Sequence, residues 1–544
     1  MSIASHYGVF CRTALPATRR APGAALRGNA RFMFAAALAV GALLSGCATD
    51  REVEHAPTPE QSWTVPNTAT YSAIAAGNSS ASATAAEHSS AAPSPGQQGS
   101  GPPAIDPNKA YELAELIDIA QRTNPQTRVA WERAREAALG VGIAESVYAP
   151  MLSAQAVAAA QRAPFPLPKT VLAPEGFFVA DTQFFLPALT LKWLLFDFGG
   201  KQARVDATKE GLAAANFGFN ATHQKIVFDV TRTYYILSAV QGRVEVARSS
   251  LSQAQTLQDA AESRRGRGLA TLPEVLQARE RTARAAYELQ ETFAGETDAR
   301  MALLEAMGVR PTTPLRIAGL GARALPASVE QTAEKLVARA LEQRPDLLAH
   351  AAVVREREAD IRKAQSEFRP KIVVTGNVLQ NIGRVSTSNI PGWATVNDTG
   401  YGAAISIEVP LYDGSLRQNR LRLAESQRRV AEDELELARD QTARQVVKAY
   451  EDLKVALQQR EAAVVLLAAA NKSYDAALDS YRHGVATFVD VTNAQTGLTK
   501  ARTADTETRS SVFTAVAALA FGTGDIAPPG APDALSGAAI PSQH

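Results

Sequence analysis

The chain has 544 residues, with 56 lysines and arginines against 55 aspartates and glutamates, a formal net charge of +1. That balance gives no long-range field to draw in nucleic acid, and none is expected as a partner. Two cysteines, Cys11 and Cys47, cannot build a disulfide framework or a zinc cluster. Aromatic residues make up only 6% while alanine recurs throughout, a composition suited to long helices with close-packed seams.

The first 46 residues read as a secretory signal. Arg27 and Arg31 precede a short apolar run, Phe32 to Leu44, which ends in Leu44-Ser45-Gly46-Cys47. The run falls short of the roughly 20 apolar residues needed to span a bilayer. Its small residues before a cysteine resemble a bacterial lipobox. The resemblance implies that Cys47 is the acylated first residue of the mature chain and that, with Ala48 next, delivery is to the outer membrane. An ordinary signal with an incidental cysteine is the plainer alternative. The stretch before Arg27 is long for a signal, which fits a start codon downstream of Met1.

Residues 47–107 are rich in Ala, Ser, Thr, Pro and Gly, lack apolar periodicity and are expected to be a lipid-anchored disordered linker. Sixty flexible residues span about 40 Å root-mean-square. Residues 525–544 are expected to be a similar tail.

Between these ends the sequence repeats itself. Asn124-Pro125 matches Arg344-Pro345 at an offset of 220, as do Ala144, Ser146, Tyr148 and Pro150 with Ala364, Ser366, Phe368 and Pro370. Farther on the offset is 216: Asp197 with Asp413, Val230 and Tyr234 with Val446 and Tyr450, Gly268 with Gly484, and Gly308 with Gly524. Residues 108–308 and 329–524 are thus tandem copies joined by an equatorial linker, 309–328.

Each copy is expected to open with a short helix (Tyr111–Arg122; Glu334–Gln343). A second helix follows just after a proline (Gln126–Tyr148; Asp346–Phe368) and stops at Pro150 or Pro370. Two strands come next. Leu189, Leu191, Trp193 and Leu195 alternate with Ala188, Thr190, Lys192 and Leu194, and Ile405, Ile407, Val409 and Leu411 do the same in the second copy. Lys192 and Glu408, opposite the apolar rows, read as lumen-lining charges, with a plain solvent-exposed face as the alternative. After the strands Lys201–Arg264 and Leu416–Tyr481 contain no proline and predict rods of about 96 Å. Gly268 and Gly484 then turn each chain into a returning helix.

Four strands per chain cannot close a barrel, and an open sheet edge is not tolerated in lipid. Three chains supply twelve strands, within the range of outer-membrane barrels. The expected fold is mostly α with a membrane β-barrel portion: a tandem-duplicated chain in a trimeric twelve-stranded barrel, continued by a long α-helical coiled-coil barrel.

The element order, given twice, resembles the TolC family of outer-membrane efflux and secretion channels. Leu195-Phe196-Asp197-Phe198-Gly199-Gly200 and Val409-Pro410-Leu411-Tyr412-Asp413-Gly414 look like its strand-to-helix turns. Tyr481 to Gln495, YRHGVATFVDVTNAQ, is similar to its periplasmic tip. The resemblance implies a homotrimer lodged in outer-membrane lipid and extending into the periplasm. It implies docking to a periplasmic adaptor (membrane fusion) protein through Gly268, Leu269, Ala270, Thr271, Gly484, Val485, Ala486 and Thr487. There small residues let helices approach closely; a bare structural turn is the alternative. It further implies a gate and selectivity ring at Asp490, with Asn493 and Tyr481 beside it, although Asp490 could equally be a solvated helix-start carboxylate. Asn493 stands where the family's best-known member has a second aspartate, and Ala486 where that member has an arginine that helps hold the closed state. Arg264, Arg265 and Arg267 are available for other tip links.

No cofactor, metal or catalysis is expected. The seven histidines include no pair at metal-ligand spacing, Gly199-Gly200-Lys201-Gln202 lacks the pattern of a phosphate-binding loop, and no Gly-x-Ser-x-Gly elbow occurs. A soluble periplasmic coiled-coil scaffold or adhesin would explain the rods but not the matched strands. The expected role is the passive exit duct of a tripartite efflux system, working with an inner-membrane RND or ABC transporter on drugs, solvents or metals. Type I protein secretion is the alternative.

Overall fold

The computed structural model describes residues 55–63, 71–72, 76, 105–171, 174–319, 325–326, 328, 331–388 and 390–526. The signal segment and Cys47 lie outside the described residues, as does the tail from 527 onward.

The first repeat runs β1 (Ala110–Tyr111), α1 (Leu113–Thr123), α2 (Pro125–Glu145), β2 (Met151–Pro166), β3 (Phe177–Phe196), α3 (Gly200–Gly266) and α4 (Leu272–Ala306). A short strand β4 (Arg316–Ile317) follows. The second repeat runs α5 (Ala333–Gln343), α6 (Pro345–Ser366), β5 (Lys371–Thr387), β6 (Ile390–Glu408), α7 (Leu416–Arg482) and α8 (Phe488–Thr523). Prolines 125 and 345 sit at the first helical positions, where no backbone N–H is required. The 67-residue helices α3 and α7 are each about 100 Å long.

The repeats use the same local solutions. Between strand and long helix the backbone passes through two successive left-handed residues, Phe198-Gly199 in one copy and Gly414-Ser415 in the other. Each repeat spends one non-glycine residue there, which costs about 1–2 kcal/mol. The apolar row of β6 falls short of its expected extent. The strand ends at Glu408, so Val409 and Leu411 lie beyond it. Pro410 has no N–H for a ladder, and its carbonyl accepts from Arg417 at 2.8 Å instead.

Asn124 and Arg344 also match. The Asn124 amide donates to the Ala306 carbonyl at 2.9 Å, and the Arg344 guanidinium to the Gly522 carbonyl at 3.3 Å. Both acceptors are end-of-helix carbonyls, which α4 and α8 leave unpaired.

The four long strands form one antiparallel sheet in the order β2-β3-β5-β6, leaving β2 and β6 as open edges. Register and alternation place Phe185, Leu189, Leu191 and Trp193 on one face, with Leu152, Val374, Val378, Ile405 and Ile407 from the flanking strands. From Phe185 to Trp193 this apolar band covers roughly 27 Å along the strand, close to the apolar height of outer-membrane barrels. Beyond Phe185 the same face turns polar: Arg162 pairs with Asp181 at 3.3 Å and Arg384 donates to Gln183 at 2.8 Å. Lys192 and Glu408 both lie on the opposite face, Lys192 among Thr190, Thr375 and Asn377, Glu408 beside Ser406 and across from Lys371.

The helices pack in the order of the strands. Nearest the sheet α2 packs on α3, α3 on α6 and α6 on α7; toward the glycine turns α4 packs on α3, α3 on α8 and α8 on α7. Among the described residues the three largest apolar clusters run along this layer. Phe217, Leu347, Leu348 and Leu435 lie toward the sheet, Leu116, Ile226, Val230, Leu303 and Met307 at the middle, and Leu257, Val275, Tyr481, Phe488 and Leu498 at the turns. Each fully buried aliphatic side chain contributes about 1.5–3 kcal/mol. Among the described residues no helix is long and apolar enough to cross a membrane.

Three expectations need correction. Residues 55–63 and 71–72 fall in the stretch read as a disordered linker, yet they pack on the helices: Trp63 and Tyr71 both set their rings edge-on to Phe217. Sparse aromatics in an Ala/Ser background give no periodic signal, although each finds a slot. The inter-repeat linker contains β4, which pairs in parallel with β1. At the other end, Ile526 is buried and Asp525 pairs with Arg339 at 2.8 Å, so the folded body runs two residues into the expected tail.

Candidate gate and docking tip

At the end remote from the sheet, α3 gives way to α4 and α7 to α8 through paired turns. Gly268 and Gly484 adopt φ of +76° and +80°, a left-handed conformation natural to glycine. The N–H of Leu269 closes on the Arg264 carbonyl, and that of Val485 on the Ser480 carbonyl, both at 2.9 Å. Leu269 and Val485 are 64% and 83% exposed, a large apolar side chain at each apex. Gly268, Thr271, Gly484 and Thr487 are exposed with them, and Ala270 and Ala486 are half-buried. All eight expected docking positions thus lie on these two turns.

The gate residues are placed differently from one another. Asp490 is exposed and occupies the third position of α8, where it closes a capping box with Thr487. Its Oδ2 accepts from the Thr487 hydroxyl at 2.6 Å and the Thr487 N–H at 2.9 Å, and its own N–H donates to the Thr487 hydroxyl at 3.2 Å. The hydroxyl bond, then the backbone bond, hold its carboxyl below the usual 3.8. Asp490 and Asn493 line one shallow groove between α7 and α8, floored by Ala470, Ala477 and Gly497.

Tyr481 is not on that surface. It is 1% exposed, and its hydroxyl donates to Glu274 of the other repeat at 2.6 Å. Burial first, then the bond to Glu274 and that group's charge, push the phenol well above its ordinary range, so it stays a donor. The Arg264 guanidinium lies 4.6 Å over the Tyr481 ring and donates to the Tyr481 carbonyl. Three side chains from two repeats therefore make one clamp. Of the three tip arginines, Arg264 makes the cross-repeat link; Arg267 turns back to Ser263 of its own helix.

Glu274 was missed in the sequence. It lies in Thr271-Leu272-Pro273-Glu274-Val275, which parallels Thr487-Phe488-Val489-Asp490-Val491 in residue type at every position but the proline. The repeat offset of 216 applied to Asp490 lands on it.

The sequence profile described as "Outer membrane efflux protein" matches residues 116–309 and 336–525, both repeats and most of the chain. The chain belongs to the outer membrane efflux protein family. Among curated proteins it is 26% identical to Protein CyaE of Bordetella pertussis, over 74% of this chain and 81% of that one. It is 24% identical to Outer membrane protein OprJ of Pseudomonas aeruginosa, over 55% of this chain and 61% of that one. Among solved structures the outer membrane protein VceC of Vibrio cholerae superposes with a TM-score of 0.62 at 21% identity, covering 76% of this chain and 96% of that one. That likeness shows the fold. As a family member this outer membrane efflux protein is a channel-forming duct of the outer membrane, and the tip described above is one end of its helical layer.

Proposed function

We propose that three copies close head to tail into a passive exit duct. The observation that carries this reading is that sheet and helical layer are open on the same two sides. β2 and α2 end one side; β6 and α7 end the other. Along α7, Leu416, Leu423, Val430 and Leu437 recur every seven residues, each about half exposed, which is the pattern of a coiled-coil seam without its partner. On the other side α2 exposes Val129, Leu139 and Ile143, and α4 exposes Leu276 and Tyr287. Pairing β6 with the next copy's β2 removes both sheet edges, as hydrocarbon demands.

In this assembly Lys192 and Glu408 line the lumen and the apolar band meets lipid. Cys47 carries the acyl anchor. The turns at Gly268 and Gly484 receive a periplasmic adaptor, and an inner-membrane transporter supplies cargo and energy. Three Asp490 carboxylates ring the closed end. Small molecules such as drugs, solvents or metals are the first cargo class, in keeping with the efflux family profile. Polypeptide export through the same duct is the second reading. Deleting the gene separates them. Sensitivity to dyes, solvents or metals with an unchanged secreted protein profile supports small-molecule efflux. A polypeptide missing from the medium, without such sensitivity, overturns it.

A further inference from the structure

Residues 55–63 lie across the helical layer through a small set of specific contacts. The Trp131 indole N–H of α2 donates to the Ala56 carbonyl at 2.8 Å. On α3, Asn220 accepts from the Trp63 N–H at 2.8 Å and donates to the Trp63 carbonyl at 2.9 Å. Phe217 meets the Trp63 ring edge-on at 5.4 Å. Between these anchors His223 sets its Nε2 3.0 Å from the Pro59 carbonyl. Phe217, Asn220 and His223 fall three apart, so one face of α3 presents all three.

His223 is 3% exposed, and its second ring nitrogen, Nδ1, has no hydrogen-bond partner. A carbonyl only accepts, so Nε2 carries a proton, and the buried, unpartnered Nδ1 favours the neutral ring while the segment is docked. A second proton would place an N–H⁺ at Nδ1, in a closed site with nothing to receive it. Once the segment leaves, water can.

We propose that residues 55–63 form a strap latched to α3 through His223, and that protonation of His223 releases it. Burial, the largest effect, pushes the imidazole below its ordinary 6.5, and the bond to the Pro59 carbonyl and then the charge of Glu60 oppose that only in part. On α3 the nearby Lys225 and Asp229 pair with each other at 2.5 Å. Glu60 is the charged group that bears on the ring among the described residues. The sign follows. A histidine whose docked-state pKa is depressed contributes full latch stability above 6.5. That stability is lost as pH falls below 6.5, at up to about tenfold in the docked-to-released ratio per pH unit. Tyr71 is held separately, by Glu210 at 2.9 Å, so the readout belongs to 55–63 alone.

The test is hydrogen–deuterium exchange of the full chain in detergent, corrected for intrinsic rates, between about pH 7.5 and about pH 5. Protection of 55–63 should fall with acid while the α3 peptides stay protected. His223→Gln, whose amide can donate to Pro59 but cannot titrate, should keep protection at both ends. Glu60→Gln, on the exposed side of the strap, removes a charge that favours the docked imidazolium, so it should deepen the acid loss of protection and move the transition to higher pH. Equal protection of the wild-type strap across the range overturns the latch, as does His223→Gln retaining the wild-type transition. If His223→Gln loses its α3 protection and so fails to fold, Glu60→Gln decides, and an unmoved transition overturns the proposal.

Discussion

Glu274 and Asp490 occupy the same position in the two repeats, the third residue of the returning helix, yet they face different partners. Glu274 accepts from Tyr481 across the repeat boundary, whereas Asp490 accepts from Thr487 within its own turn. Duplication supplied two equivalent carboxylates; one ties the repeats together at the tip and the other stays on the surface.

The clamp predicts a gating phenotype. Tyr481→Phe keeps the buried ring under Arg264 and removes only the bond to Glu274. A hydrogen bond to a charged acceptor is worth about 1.5–3 kcal/mol, enough to change an open-to-closed ratio at least tenfold. Conductance in planar bilayers should rise while the melting temperature shifts little. The phenol sits above its ordinary range, so the wild-type clamp should be insensitive to pH through neutrality and weaken only in alkali. Unchanged conductance in Tyr481→Phe would remove the clamp from gating.

Asp490 requires a variant that separates charge from capping. Asp490→Asn retains an oxygen to accept from Thr487 while removing the charge, so cation preference should fall and helix α8 should stay capped. Asp490→Ala loses both, and its tip should also fray. Because the folded-state carboxyl is held below 3.8, its contribution is present above that value and lost only as pH falls through the depressed range. Selectivity measured between about pH 5 and about pH 8 should therefore be flat. Ion selectivity identical in Asp490→Asn and wild type would leave Asp490 as a cap alone.

How far these features could be read in the sequence depends on their range. The two rods, their glycine turns and the strand pairs were legible because period and offset are local signals repeated twice. The helix openings at Pro125 and Pro345 fell within one residue of the expected starts. The Arg264–Tyr481–Glu274 clamp was not legible as a unit, because it joins residues more than 200 apart whose positions are not equivalent in the two repeats. Asp490 was recognisable as a helix-start carboxylate, but its inward or outward aspect depends on neighbours a single chain does not contain. The strap escaped because a few aromatics and one histidine contact, spread over a polar stretch, leave no periodicity.

Two glycines with similar backbone angles should respond differently. Gly308 has φ of +70°, and an added Cβ would lie 2.6 Å from the Asn124 Cα and 2.8 Å from the Pro125 ring. Gly268 has φ of +76°, but a Cβ there would meet open space. Gly268→Ala should cost only the left-handed strain, about 1 kcal/mol. Gly308→Ala adds a backbone clash, at a total on the order of 3 kcal/mol or more. Thermal melts of the two variants should differ by several degrees, and equal melts would contradict the packing of α2 against the end of α4.

Acylation at Cys47 has a direct assay. Globomycin, which blocks lipoprotein signal cleavage, should accumulate a precursor that retains residues before Cys47. Cys47→Ser should give the same failure to mature and abolish labelling by a fatty-acid analogue. Normal processing under globomycin would reject the anchor and leave the channel reading untouched.

The seam on α7 carries the sharpest prediction about assembly. Leu423 and Val430 face outward from the single chain, 58% and 53% exposed, so a charge at either costs little in an isolated subunit. In a head-to-tail trimer each lies in a desolvated contact, where an unpaired carboxylate costs several kcal/mol and three-fold symmetry repeats it at every interface. Leu423→Asp combined with Val430→Asp should therefore convert cross-linked trimers to monomers in detergent while the helical content by circular dichroism is kept. A conservative pair, Leu423→Ile with Val430→Ile, should stay trimeric. Trimers that survive both aspartates would place the contact elsewhere and leave the heptad row of α7 unexplained, and the match between open sheet edge and open helical edge would lose its meaning.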